Sequence, residues 1–235
     1  MDVEIRTIRP REEDGGKEDG AKEEDGAKEE DRGKDILIET FRDDPTLVWC
    51  FFADRSGYQD RLRAYIDAGH QWHMSAGQPI VGAFANDQMV GVMYAMTPDV
   101  ETTPDDVARL EREMLEGCGQ EAVDRFAAYN RSVRESSPDG PHHVLALIGI
   151  LEPWRRQGIA SRLIDWLHAQ CDQHPSSEGV VLDTGSTSNV AFYQRRGYRQ
   201  IGEILRPSEH SSSGQDIDPH TGTWYVLLRP KSVLG

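Results

Sequence analysis

Cysteine is scarce in this chain: the three present, Cys50, Cys118 and Cys171, are far apart and odd in number. That excludes a disulfide framework, and the spacing is not that of a zinc site. All three are expected as thiols, Cys171 within the core face of a helix. Long apolar runs are also lacking. Nothing approaches the ~18 residues of a membrane span, and the opening MDVEIRTIRP has no signal-peptide apolar stretch, so the expected compartment is the cytoplasm. Basic charge is short as well. Lys and Arg number 26 against 41 Asp and Glu, a net charge of −15. Nucleic acid and anionic membrane surfaces are therefore not expected partners. A cationic substrate is allowed by this charge, although solubility alone accounts for it equally well.

What is there suffices for a packed domain: 235 residues, 37% of them hydrophobic. Residues 3–10 alternate as a strand. Between Glu12 and Lys34 comes a biased stretch in which GAKEED occurs twice, at 20–25 and 26–31, with eleven acidic and five basic residues. It has a glycine every five or six residues and no apolar face, which predicts a disordered insertion at 12–34. Residues 35–42 suit the end of a helix, stopped by Asp44-Pro45. A short helix is predicted over 46–53 and another over 56–69, with Tyr58, Leu62, Tyr65 and Ile66 on one face and Gly69 near its end. Strands at 79–85 and 88–96 flank an Asn86-Asp87 turn. Two helices follow over 104–134, capped by Thr103 and divided by Gly117 and Gly119. The apolar run His143–Leu151 reads as a central strand. After it come a helix (158–172), a strand (179–184), a short helix (188–196), a strand (198–205), a long loop (206–222) and a last strand (223–229).

Two segments carry chemistry. Ile150–Ser161 reads ILEPWRRQGIAS: a strand end, a basic turn with one glycine, and an amphipathic helix with Leu163, Ile164, Leu167 and Cys171 on its apolar face. Gly158 lets an anion approach the backbone, Ala160 is too small to block it, and free N–H groups at a helix start suit a diphosphate. Arg155 and Arg156 add charge. The bland alternative is a helix start with surface arginines. Downstream, 183–198 reads DTGSTSNVAFYQRRGY. Asn189 is placed to cap the short helix, Tyr193 lies one turn on along the same face, and Gly197 ends the helix before Tyr198. By itself Tyr193 reads as a core tyrosine.

Together these motifs resemble the GNAT superfamily of N-acetyltransferases. Arg155, Arg156, Gln157, Gly158, Ile159 and Ala160 match its coenzyme-binding signature, and Asn189, Tyr193, Gly197 and Tyr198 its downstream one. FRDDPTLVW near the start and TWYVLLRP at the end resemble the puromycin N-acetyltransferase branch. There are departures: Glu152 stands where a proline is usual, and Arg156 where glycine is frequent.

The resemblance implies an α/β (α+β) fold, a mostly antiparallel mixed sheet of about seven strands flanked by helices, in one domain, 1–235. It implies that acetyl-CoA inserts between splayed central strands. The backbone of Leu147, Ile148, Gly149 and Ile150 would pair with the pantetheine arm, the Ile150 N–H polarising the thioester carbonyl. The diphosphate would sit on Arg155–Ser161 (Ser161 included), with Asn189 and Phe192 beside the arm and Tyr193 as acid to the leaving thiolate. The superfamily often keeps a glutamate base on the central strand. HVLALIGIL has none, which leaves His142 or His143, a water chain, or capture of free amine. The implied partner is a small-molecule amine, and the acids of 104–134 (Asp105, Asp106, Glu111, Glu113, Glu116, Glu121, Asp124) either attract it or form a solvated face. A protein or peptide amine, or a non-catalytic acetyl-CoA-binding module, stays open, as does monomer or homodimer. No metal site is implied.

Overall fold

The structure is a computed structural model that describes residues 2–8, 20–100, 103–206 and 222–232, with backbone only over 20–28. The elements follow the chain as β1 (Glu4–Ile8), α1 (Gly20–Phe41), α2 (Pro45–Cys50), α3 (Tyr58–Ser75), β2 (Ile80–Ala85), β3 (Gln88–Met96), α4 (Pro104–Cys118), α5 (Gln120–Glu135), β4 (His143–Ile150), a short 3-10 turn (Glu152–Trp154), α6 (Ile159–Gln173), β5 (Gly179–Thr184), α7 (Thr187–Gln194), β6 (Arg199–Leu205) and β7 (Thr223–Pro230). The seven strands form one open sheet in the order β1-β2-β3-β4-β5-β7-β6. All neighbours are antiparallel except β4 and β5. The seven-stranded mixed sheet with flanking helices is the GNAT fold.

Local chemistry explains the boundaries. Asp44 caps α2 by accepting from the Thr46 N–H (2.9 Å) and Leu47 N–H (3.1 Å), with Pro45 at the first helical position. Thr103 and Asp106 form a reciprocal capping box at α4. Gly119, at φ +81°, divides α4 from α5, whereas Gly117 stays inside α4. The β2–β3 hairpin turns on Asn86 (φ 48°) and Asp87 (φ 62°), the left-handed pair a two-residue hairpin needs.

Two sequence readings change. α3 does not stop near Gly69 but runs to Ser75, ending before Gly77 at φ +65°. A mid-helix glycine costs only about 1 kcal/mol, which the buried His70, Trp72 and His73 beyond it outweigh. Second, α1 begins at Gly20, so the predicted disorder of 12–34 gives way to helix over 20–34. Ala, Glu and Lys are strong helix formers. Its end is also docked, since Gly33 is buried against Val92, Arg6 Nη1 donates to Glu29 (3.0 Å), and Lys34 bridges Asp31 and Asp67. Residues 12–19, and 207–221 of the predicted long loop, lie outside the described residues.

The sheet has two covered faces. Tyr94, Val92 and Trp224 pack under α1–α5, while Leu145, Leu182 and Leu227 pack under α6 and α7. All three cysteines are buried free thiols. At the centre, β4 and β5 pair at only two positions, His143↔Val180 and Val144↔Val181, and then diverge. β4 also carries an irregularity there: Tyr94 faces Leu147 but Ala95 faces Leu145, which leaves Ala146 as an extra residue. The result is a wedge-shaped gap in the middle of the sheet.

Candidate active site

That gap opens into a cavity of about 1490 Å³. Its size exceeds the roughly 300–1,000 Å³ of a single small-ligand pocket. One wall is the freed edge of β4, Val144 to Ile148. Backbone groups alternate along a strand. The Leu151 N–H bonds to the Val90 carbonyl (3.0 Å), so the N–H groups of Ile150 and Ile148 turn away from β3, toward the gap. Of the expected strand residues, Leu147 and Ile148 line the cavity and Gly149 and Ile150 do not. Gly149 instead lets α1 approach, because a Cβ there would overlap Thr40 Oγ1.

Beyond Arg155, which lines the cavity, the chain passes into α6 through two left-handed residues, Arg156 (φ 61°) and Gly158 (φ 81°), and none of 156–161 lines the cavity itself. The conformation of Arg156 is one glycine adopts freely and a branched side chain resists. No atom lies within 4 Å of a Cβ built on Gly158. No side chain caps the α6 N-terminus and its first turn holds no acid. The N–H groups of Ile159, Ala160 and Ser161 therefore keep the partial positive charge of a helix start. Ile159 is itself buried in the core, so its side chain is structural. The Arg155 Nε donates to the Ile150 carbonyl (3.0 Å) and the residue lines the cavity; Gln157 Nε2 donates to the Pro153 carbonyl (2.9 Å). Ser161 is engaged by Arg196 through its Oγ (2.8 Å) and carbonyl (2.9 Å). The turn fits a diphosphate, with backbone donors free and the approach to Gly158 open.

From the other side, α7 brings Asn189 and Tyr193 to the cavity. Asn189 is not the cap the sequence suggested: Ser186 holds that position, and Asn189 sits in the first turn with its Nδ2 donating to Thr184 Oγ1 (3.3 Å). Phe192 is not on the cavity and packs edge-on to Tyr193 (5.3 Å). Tyr193 is buried, and among the described residues its hydroxyl has no hydrogen-bond partner. Burial pushes its pKa up, as do the charges of Asp183 and Asp44, so the phenol holds its proton.

The two histidines separate. His143 is buried away from the cavity, its Nδ1 2.9 Å from Ser177 Oγ and its ring edge-on to His174. Burial first, then His174, lowers its pKa to about 4. It is a packing residue, which corrects its candidacy as base. His142 does line the cavity, with Nδ1 3.0 Å from the Gly140 carbonyl.

Sequence reasoning missed the acids of the cavity. None of Asp105, Asp106, Glu111, Glu113, Glu116, Glu121 or Asp124 lines it. Asp106 bonds Thr103 and Arg109, Glu121 pairs with Arg55 (2.7 Å), and Asp124 accepts from Gln120 (2.8 Å). The cavity acids are Glu39, Asp43, Asp44, Glu152 and Asp183, from α1, the α1–α2 turn, the 3-10 turn and β5. Asp183 accepts a hydrogen bond from the Tyr129 hydroxyl of α5. Burial pushes its pKa up to about 6, against the pull of that bond and with a smaller push from Asp44. Burial likewise raises Asp44, against its bonds from Leu47 and Thr46. Tyr65, Trp72, Phe126 and Tyr129 supply an aromatic lining.

Comparison with known proteins agrees with this geometry. Residues 108–207, which contain β4, the α6 turn and α7, match the family model described as acetyltransferase (GNAT) domain. No curated protein sequence matches the chain. Among solved structures, a histone acetyltransferase HPA2 and related acetyltransferase from Corynebacterium glutamicum superimposes with a TM-score of 0.61 at 20% identity, over 88% of this chain and 93% of that one. Arylalkylamine N-acetyltransferase 2 from Aedes aegypti gives 0.60 at 14%, over 99% and 100%. The Drosophila melanogaster polyamine N-acetyltransferase, which forms N-acetylagmatine, gives 0.54 at 14%, over 97% and 99%. At such identities the likeness is one of fold, and it is to residues 108–207 alone that the acetyltransferase (GNAT) domain model matches.

Proposed function

We propose that this protein is an N-acetyltransferase that transfers acetyl from acetyl-CoA to a small amine in a ternary complex, as a single domain over 1–235. The observation that carries the reading is that the unpaired β4 edge, Arg155 of the turn that leads into the uncapped α6, and Tyr193 line one cavity. Bound acetyl-CoA supplies an activated acetyl thioester. The chain's residues do the rest. Backbone N–H groups of 158–161, with Arg155, hold the diphosphate. The β4 edge pairs with the pantetheine as an added strand would. Ile148, rather than Ile150, is assigned the N–H that polarises the carbonyl, because Ile148 lines the cavity. Asn189 contacts the arm, and Tyr193 gives its proton to the departing sulfur.

The acceptor reading rests on the lining: carboxylates beside aromatic rings suit a cation with an apolar body. The fold relatives from Aedes and Drosophila, an arylalkylamine and a polyamine acetyltransferase, support the same class. Within the superfamily the puromycin N-acetyltransferase branch is proposed on FRDDPTLVW and TWYVLLRP. Isothermal titration with acetyl-CoA, followed by thiol-release assays over arylalkylamines, polyamines, aminonucleosides and peptides, tests the proposal. Binding without thiol release from any amine would leave a binding module. Release with peptides alone would move the acceptor to protein amines.

A further inference from the structure

We propose that Asp183, held by Tyr129, is the general base that takes the proton from the acceptor ammonium in this active site. The inference rests on the acetyltransferase reading above and adds to it the residue that the central strand lacks. Three geometric facts carry it. First, Asp183 stands two residues beyond Val181, the last β5 residue paired with β4, so it lies where the strands part. Second, alternation along β5 puts it on the Val181 face, under α5, while Leu182 packs under α6 and α7 with Tyr193. Base and acid thus reach the gap from opposite faces of the sheet, as an amine and a leaving thiolate on opposite sides of one carbonyl require. Third, no lysine or arginine pairs with Asp183 among the described residues, although it is set in the cavity wall.

Its one side-chain partner fixes it in place. The Tyr129 ring is clamped edge-on to Trp224 (4.8 Å) and against Phe126 (6.0 Å), which aims the hydroxyl at Oδ2 and leaves Oδ1 to an incoming ammonium. The groups that face Asp183 are Tyr129 of α5, Asp44 at the α2 cap, Cys50 of α2, Tyr65 of α3 and Tyr193 of α7. Among them Asp44 acts on Asp183 through its charge, which makes Asp183 more basic. A carboxylate titrating at about 6 is roughly 10²-fold more basic than one at its ordinary 3.8. It is still ionised at pH 7.

The proton account closes. The ammonium gives one proton to Asp183 Oδ1, from where it passes to solvent. The freed lone pair forms the C–N bond as the C–S bond breaks, and the sulfur takes the Tyr193 phenol proton. The second nitrogen proton, lost as the amide forms, restores that phenol.

The test uses the full chain and the best amine from the panel. Asp183→Asn should lower kcat/KM at pH 7.5 by about 10²-fold, with acetyl-CoA affinity retained. It should also abolish the rise of kcat/KM through pH about 6. Asp183→Glu should restore part of the rate. Tyr129→Phe removes the bond that holds the pKa of Asp183 down, so the rise should move to higher pH, a shift that a purely structural tyrosine would not produce. A readout independent of turnover follows from linkage. The folded pKa lies above the unfolded one, so ionisation destabilises the fold as pH rises from about 3.8 through 6. Asp183→Asn should therefore melt higher than the parent at pH 8, with the gap closing toward pH 4. Asp183→Asn with parental kcat/KM and pH profile overturns the assignment. So does a rise near pH 6 that vanishes in His142→Gln and persists in Asp183→Asn. If the parent protein acetylates no amine at all, the acetyltransferase reading falls, and this inference with it.

Discussion

One side of the cavity is backbone and the other is side chain. Where the coenzyme is proposed to bind, the groups on offer are N–H donors of the β4 edge and of 158–161, exposed because a strand loses its neighbour and a helix lacks a side-chain cap. Where the amine is proposed to bind, the groups are Asp183, Asp44 and Tyr129 amid aromatic rings, drawn from β5, the α2 cap and α5. A backbone site tolerates almost any side chain but needs particular torsions, so it is disturbed through glycine. A side-chain site tolerates backbone variation but needs particular atoms, so it is disturbed by conservative replacements.

Tyr193→Phe should have the largest effect outside the base itself. The ring and its packing against Phe192 and Tyr198 stay, and only the unpartnered hydroxyl goes. Turnover should drop about 10²-fold with acetyl-CoA affinity near parental, read by single-turnover kinetics and titration. Turnover that survives would make Tyr193 a packing residue and place all polar chemistry on the amine side. Next comes Gly149→Ala, aimed at the fold rather than the site. The new Cβ would overlap Thr40 Oγ1 and meet Leu37 Cδ2 at 3.3 Å, so α1 must back away from β4. The expected loss is about 1–3 kcal/mol in denaturant unfolding. Gly158→Asp is subtler. Space is open there, yet φ +81° disfavours any L side chain, and the carboxylate would repel a diphosphate. Acetyl-CoA affinity should fall at least about tenfold, or 1.4 kcal/mol. An unchanged affinity in folded protein would show that the α6 turn is no anion site.

The same contrast explains what could be read from the sequence. Torsional demands leave local marks: Gly158 and Gly197 both take φ above +80°, and the Asn86-Asp87 turn and the Thr103 cap are equally local. Periodicity located every strand to within a few residues. Asp183 leaves no mark, since an aspartate at a strand end is ordinary until Tyr129, 54 residues away, is folded onto it. His143 misled for the converse reason: adjacent to His142, which lines the cavity, it is itself buried in the packing around Ser177. Residues 20–34 misled because composition alone ignores docking. Gly33 looks like a breaker, yet it is buried within α1, where it faces Val92 and Met89 of the sheet.

The smallest effect separates the two kinds of acid in this very acidic protein. Seven acids of α4 and α5 were candidates for drawing in a cationic amine, but each lies off the cavity. Glu111, Glu116 and Asp124 are exposed on the outer helix surfaces. Charges so placed act on a buried ammonium only through solvent, and screening with a Debye length of about 10 Å at 0.1 M salt removes most of that. The triple change of Glu111, Glu116 and Asp124 to the corresponding amides should therefore alter the acceptor KM by less than about twofold at 0.15 M salt. Stability should change little, since among these only Asp124 makes a hydrogen bond, an exposed one to Gln120. The Asp44→Asn change removes a single charge instead of three, but from the cavity wall, and should raise the acceptor KM further than the triple change does. If the surface triple proves the more damaging, the amine is gathered by the protein's overall negative field and the cavity carboxylates are not what selects it.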